Sequence, residues 1–258
     1  MKTKLNSKKS LMGYFKHIIL TFFIFFSVFG FSQFDTTGTF KSNLDLGSDF
    51  KSRYIWRGIN LGGNTPSIQP FIEYSFAKGF ALGTWGAFSF GEQATQEVDL
   101  YLSYTTPNEV FTLLLTDYFF PDYSVRNGNF FDLDENSGHV LEFMASFNGT
   151  DGFPIGISIA TNIAGADKDV ENDQSFSTYI EASYGTNISD YVDLSIFAGI
   201  VIGNKGGYYG NDETGFINLG ITASKSITIT DKFSLPIDAS FIMNPAEGNV
   251  FMVFGFTL

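Results

Sequence analysis

The side chains that could do chemistry here are charged groups held at two-residue spacing. Lys51, Arg53 and Arg57 share one parity of a single alternating stretch, and Glu97, Asp99 and Tyr101 share another. Glu73, Glu142, Glu181, Asp193 and Asp238 fall on further stretches of the same kind. Residues two apart on an extended strand point to the same side, so each set would face one common space. Both signs around one space can act as charge rings that tune which solutes pass. The same groups could instead pair, Arg53 and Arg57 with Glu73 and with the neighbours of the last strand, and tie a wall shut.

Nucleophilic and metal chemistry has little to work with. Cysteine is absent, which removes disulfides, thiolate metal sites and thiol nucleophiles together. The histidines are His17 and His139. His139 lies on the parity of Leu141, Phe143 and Phe147, which predicts an outward, structural imidazole near a strand end and not a positioned base. Glu97 and Asp99 could form a carboxylate pair, but two acids at this spacing are ordinary lining. We assign no catalytic residue, no metal ligand and no cofactor, and expect no enzyme. Asp132 to Gly138 and Asp167 to Asp173 are rich in oxygen ligands but lack the spacing of an EF-hand loop. They read as solvated acidic loops, with divalent bridging to surface glycolipid as the alternative. Tyr208 and Tyr209 could form a sugar-binding tip or serve as rim anchors.

These residues must be positioned by strands. Of 258 residues, 17% are aromatic and 16% charged, and 27 acids against 15 bases give −12. Such an acidic balance excludes nucleic acid as a partner, since phosphate binding needs clustered Lys and Arg. Five lysines and no acid precede Ile18–Phe29, an apolar run that ends in Gly30-Phe-Ser-Gln33. That is the layout of a secretory signal peptide, too short to span a bilayer, with cleavage expected near Ser32. Without cysteine at the junction a lipoprotein anchor is excluded. We therefore expect residues 1–32 to be a leader and residues 33–258 to be a single exported domain.

Beyond residue 38, period-2 alternation broken by Gly, Pro, Asn and Asp predicts strands near 39–59, 65–76, 80–90, 97–105, 110–119, 139–147, 154–163, 175–185, 191–202, 215–229, 233–243 and 249–258. Parity runs unbroken through Gly47-Ser48, so the first is read as one long, bent strand. Connections alternate between short turns and long polar loops at 120–138, 164–174 and 203–214. An even count of strands with that alternation predicts an all-β fold, a transmembrane antiparallel up-and-down barrel of about 12 strands. A soluble periplasmic sandwich is the competing fold, and it leaves the alternation unexplained. The last strand places Val250, Met252, Phe254, Phe256 and Leu258 on one side, like the strand that outer-membrane assembly machinery recognises.

Ser52-Arg-Tyr-Ile-Trp-Arg-Gly-Ile59, Pro66-Ser-Ile-Gln-Pro70, Gly79-Phe-Ala-Leu-Gly-Thr-Trp-Gly86, Glu97-Val-Asp-Leu-Tyr101 and Asp117-Tyr-Phe-Phe-Pro121 resemble motifs of the TorF-type porin family. The family's Ser-Asp-Tyr-x-Phe-Arg-Gly is matched by Ser52, Tyr54, Trp56, Arg57 and Gly58, with Arg53 where Asp is common. The resemblance implies an outer-membrane porin of flavobacterial type and names no substrate. The expected function is passive diffusion of small hydrophilic solutes or ions through a lumen lined by Lys51, Arg53, Arg57, Glu73, Glu97, Asp99, Tyr101, Glu142 and Glu181. The expected partners are outer-membrane lipid, surface glycolipid, the assembly machinery through 249–258, and the solutes themselves. A non-conducting barrel that acts as a structural protein, receptor or adhesin through its long loops is the alternative.

Overall fold

A computed structural model describes residues 43–91, 96–121, 128–133, 137–189, 192–203, 205–210 and 213–258. The expected leader, 1–32, lies outside these residues. Twelve strands wind into a closed wall: β1 (Leu44–Lys51), β4 (Ser67–Ala77), β5 (Phe80–Ser89), β6 (Gln96–Thr105), β7 (Phe111–Phe119), β8 (His139–Phe147), β9 (Ile155–Gly165), β10 (Thr178–Ser189), β11 (Val192–Ile202), β12 (Gly215–Thr230), β13 (Phe233–Asn244) and β14 (Asn249–Thr257). Two further short strands, β2 (Ile55–Trp56) and β3 (Ile59–Asn60), pair only with each other. Every wall strand is antiparallel to its neighbour in sequence, and β14 closes on β1. This is the expected twelve-stranded up-and-down barrel.

Closure removes every sheet edge, so the ladder satisfies the backbone groups that lipid could not. The outer parity is apolar: Leu46, Ile72, Phe143, Ile159, Ile196, Phe216, Met252 and Phe254 are all exposed, with Phe254 at 56%. Water would strongly disfavour a continuous belt of this kind; a bilayer interior would solvate it. At the short-turn end Phe76, Phe80 and Tyr104 form an aromatic chain, with ring centroids 6.0 and 4.6 Å apart. Phe111, Phe147 and Phe153 form a second one. Aromatic girdles at the interface are expected of such barrels.

One correction concerns the first strand. The wall strand runs through Gly47-Ser48, as the parity requires, but it ends at Lys51 instead of residue 59. Ser52 marks the departure: its backbone N–H still donates to Phe254 O at 2.8 Å, while Phe254 N–H is taken by the Ser52 side chain at 2.9 Å. Residues 52–66 then leave the wall, and β2 and β3 fold back as a hairpin inside the barrel. The two central residues of its turn, Arg57 (φ 48°) and Gly58 (φ 79°), are both left-handed, the signature of a type I′ hairpin turn. Glycine is needed at 58 for a second reason, because a Cβ there would lie 1.9 Å from Ile217 O. The first segment's residues 39–42 lie outside the described residues.

Candidate functional site

The hairpin carries Arg57 off β1 and into the lumen, where the turn meets β8 and β12. Its guanidinium forks onto Glu142 of β8: Nη1 donates to Oε2, and Nη2 to Oε1 at 2.8 Å. Nη1 also donates to the Tyr209 hydroxyl at 2.7 Å, and Tyr118 O–H donates to Glu142 Oε1 at 3.0 Å. The guanidinium carbon lies 4.5 Å from the Trp56 ring centre and 4.7 Å from that of Tyr179. A planar cation with two ring faces and a bidentate carboxylate is held far more tightly than a surface pair. Arg57 sits in the turn, outside the spanning strands. Burial, the largest single influence, would lower its affinity for a proton, but Glu142 together with the Tyr118 and Tyr209 phenols outweighs this and holds it above the ordinary guanidinium range.

Trp56 completes the latch. It stacks on Tyr209 at 5.6 Å and 12°, and meets Tyr118 and Tyr208 edge-on. Tyr208 and Tyr209 therefore turn inward from the β11–β12 connection and pack with Tyr179, Val201 and Ile217, forming neither a sugar-binding tip nor rim anchors. Burial pushes the Tyr209 phenol up. Asn244, fully buried on β13, donates to Gly58 O at 3.2 Å and pins the turn.

Most of the other lumen acids accept hydrogen bonds from hydroxyl donors. Tyr54 O–H donates to Glu97 at 2.6 Å, Tyr101 O–H to Glu73 at 2.9 Å, and Tyr179 O–H to Glu181, which also takes a bond from Asn218 at 3.1 Å. Lys51 pairs with Asp238 at 2.6 Å. The pairing expected for Arg57 with Glu73 or the last strand is thus replaced by Glu142 across the lumen, and it is Lys51 that joins β1 to β13. Asp193 lies at the short-turn end and accepts from Asn187 at 2.7 Å.

Glu73, Glu97, Asp99, Tyr101, Glu142 and Glu181 face inward, as alternation requires. Beside the hairpin lies a cavity of about 530 Å³. It is lined by Lys51, Arg53, Gln69, Asp99 and Tyr101, and by both tryptophans of the chain, Trp56 and Trp85. Asp99 is almost wholly buried, and its Oδ1 has no partner among the described residues.

Outside the lumen one expectation needs correction. His139 keeps the outward parity at the start of β8. It is fully buried, with Nδ1 2.9 Å from Asp117 Oδ1 and Nε2 2.8 Å from Phe130 O, under the Phe119 and Phe130 rings. Asp167, expected in a solvated loop, is buried and accepts from Ser177 N–H and O–H, both at 2.8 Å. Part of the 132–138 loop lies outside the described residues.

The KdgM porin superposes at TM-score 0.45 with 8% identity, covering 82% of this chain and 95% of its own. The NanC porin gives 0.49 and 9%, over 83% and 98%. The COG4313 outer membrane channel from Pseudomonas putida F1 gives 0.37 and 11%, over 87% and 98%. Identities and scores this low carry no argument about solute or gating. No curated protein matches the chain. A sequence profile for bacterial proteins of unknown function, Gcw_chp, does match, over residues 35–245. That span takes in the latch residues Trp56, Arg57, Glu142 and Tyr209 and eleven of the twelve wall strands whole: the chain belongs to the Gcw_chp family.

Proposed function

We propose that the protein is an outer-membrane channel of porin type that passes small hydrophilic solutes, in the state seen here narrowed by its own hairpin. The observation that carries this reading is the contrast between the two faces of one closed wall. The outer face is an apolar belt, and the inner face holds charged and hydroxyl groups around a cavity of about 530 Å³. A barrel built only for stability would have little use for Asp99 and Arg53 in its interior. The resemblance of Ser52 to Gly58 to the motif of the TorF-type porins, with Arg57-Gly58 in the turn, supports the same reading. Transport, not catalysis, is the activity proposed. Export through the 1–32 leader, cleavage near Ser32 and assembly through the 249–258 strand belong to this proposal, as do contacts with outer-membrane lipid and surface glycolipid.

One observation favours a second reading. The Arg57–Glu142 latch is buried and satisfied on every side, as a permanent plug would be, and a plugged barrel would act through its outer loops as a receptor or adhesin. Liposome swelling separates the two. Vesicles that carry residues 33–258, diluted into isosmotic amino acids or monosaccharides, should swell at rates that fall with solute size. Folded, heat-modifiable protein that gives no swelling for the smallest solute would overturn the channel and leave the plug.

A further inference from the structure

We infer that the lumen cavity beside the hairpin is a binding site for zwitterionic solutes of the amino-acid class that carry a flat side chain; the inference rests on the channel reading above. Two groups of opposite sign keep an open position on this cavity while their neighbours are paired: Arg53, and Asp99, which takes a backbone bond from Phe119 but leaves Oδ1 without a donor among the described residues. Lys51 is occupied by Asp238, Arg57 by Glu142, Glu97 by Tyr54, and Glu73 by Tyr101. Arg53 lines the cavity and makes no ion pair or side-chain hydrogen bond among the described residues. Asp99 lines it too, and its buried Oδ1 lacks any donor there. An unsatisfied buried carboxylate oxygen is costly unless something donates to it. A guanidinium and a carboxylate left open on one cavity suit a molecule that brings a carboxylate to Arg53 and an ammonium to Asp99.

The remaining lining sets the body of the ligand. Trp56 and Trp85 contribute indole rings to the lining, Leu114 and Ile242 apolar side chains, and Gln69 an amide. Aromatic rings that stack on a flat side chain prefer offset or edge-on contacts at 4.5–7 Å. A volume of about 530 Å³ falls within the roughly 300–1,000 Å³ of small-molecule sites, large enough for an amino acid or dipeptide.

The test uses the refolded barrel in detergent. Both tryptophans line the cavity, so their intrinsic fluorescence reports occupancy directly. The probes are phenylalanine amide-linked to glycine (both charges), phenylpropionate (carboxylate alone) and phenethylamine (ammonium alone). The dipeptide should bind at least ten-fold more tightly than either singly charged probe. Arg53→Gln should remove that advantage over phenethylamine, and Asp99→Asn the advantage over phenylpropionate, with the unheated barrel band unchanged in both. Equal binding of all three probes, or an advantage that survives both substitutions, overturns the inference. Swelling that persists without dipeptide binding refutes this site and leaves the channel standing; loss of both refutes the channel as well.

Discussion

At Arg57 a single side chain carries the hairpin. Its guanidinium is sandwiched by rings and forked onto a carboxylate that is only 1% exposed. Removing one partner of a buried pair leaves the other uncompensated, at a cost of about 3–5 kcal/mol. Arg57→Ala should therefore free the hairpin while the wall stays folded. Trp56 emission should shift to the red, and protease should cut within 52–66, with heat-modifiable migration retained. An unchanged spectrum and a protease-resistant hairpin would show that the rings alone hold it. Gly58 makes a sharper case. Asparagine tolerates a left-handed backbone better than other residues, but its Cβ would still meet Ile217 O at 1.9 Å. Gly58→Asn should thus loosen the hairpin as Arg57→Ala does; wild-type behaviour would mean that φ alone selects glycine.

Among the elements, the seam where the barrel closes is the weakest. β1 pairs with β14 at three ladder positions and with β4 at eight. Side chains reinforce the short seam: Phe50 stacks on Phe256 at 4.8 Å, Thr257 O–H donates to Asp49 at 2.5 Å, and Lys51 meets Asp238. Lys51→Ala should lower the temperature at which the compact gel band converts to the unfolded one, while Arg53→Ala, whose side chain pairs with nothing described, should leave it in place. Equal shifts would assign the effect to net charge. The twelve wall strands were legible because one face must be apolar and the other polar, and that demand writes period-2 alternation into every strand. The end of β1 was hidden because alternation continues through Arg53, Ile55 and Arg57, and a hairpin turn of Arg-Gly puts a non-glycine residue where φ is positive. Gly58 is the one local cue to such a turn. The partners of Arg57 were equally hidden, since Glu142 and Tyr209 lie 85 and 152 residues away. His139 was placed on the correct face, yet its burial depends on Phe130, from a loop whose course no periodicity reveals.

For the molecule as a whole, the account requires lipid outside and polar chemistry inside. Met252, 55% exposed on the outer belt, should not tolerate a charge: Met252→Arg is expected to cost about 2–4 kcal/mol at mid-depth in vesicle unfolding. Ser195→Arg, on the inward parity of β11, should cost far less. Equal costs would argue for a water-facing outer wall and a soluble fold.

Single-channel conductance in planar bilayers, wild type beside Arg57→Ala, tests the central claim most directly. The wild type should show small or rare steps. Arg57→Ala should show larger and longer ones with cation preference, because inward-facing acids outnumber the bases left in the lumen. Folded Arg57→Ala barrels that stay silent, or that conduct no better than the wild type, would contradict a solute path occluded by the hairpin.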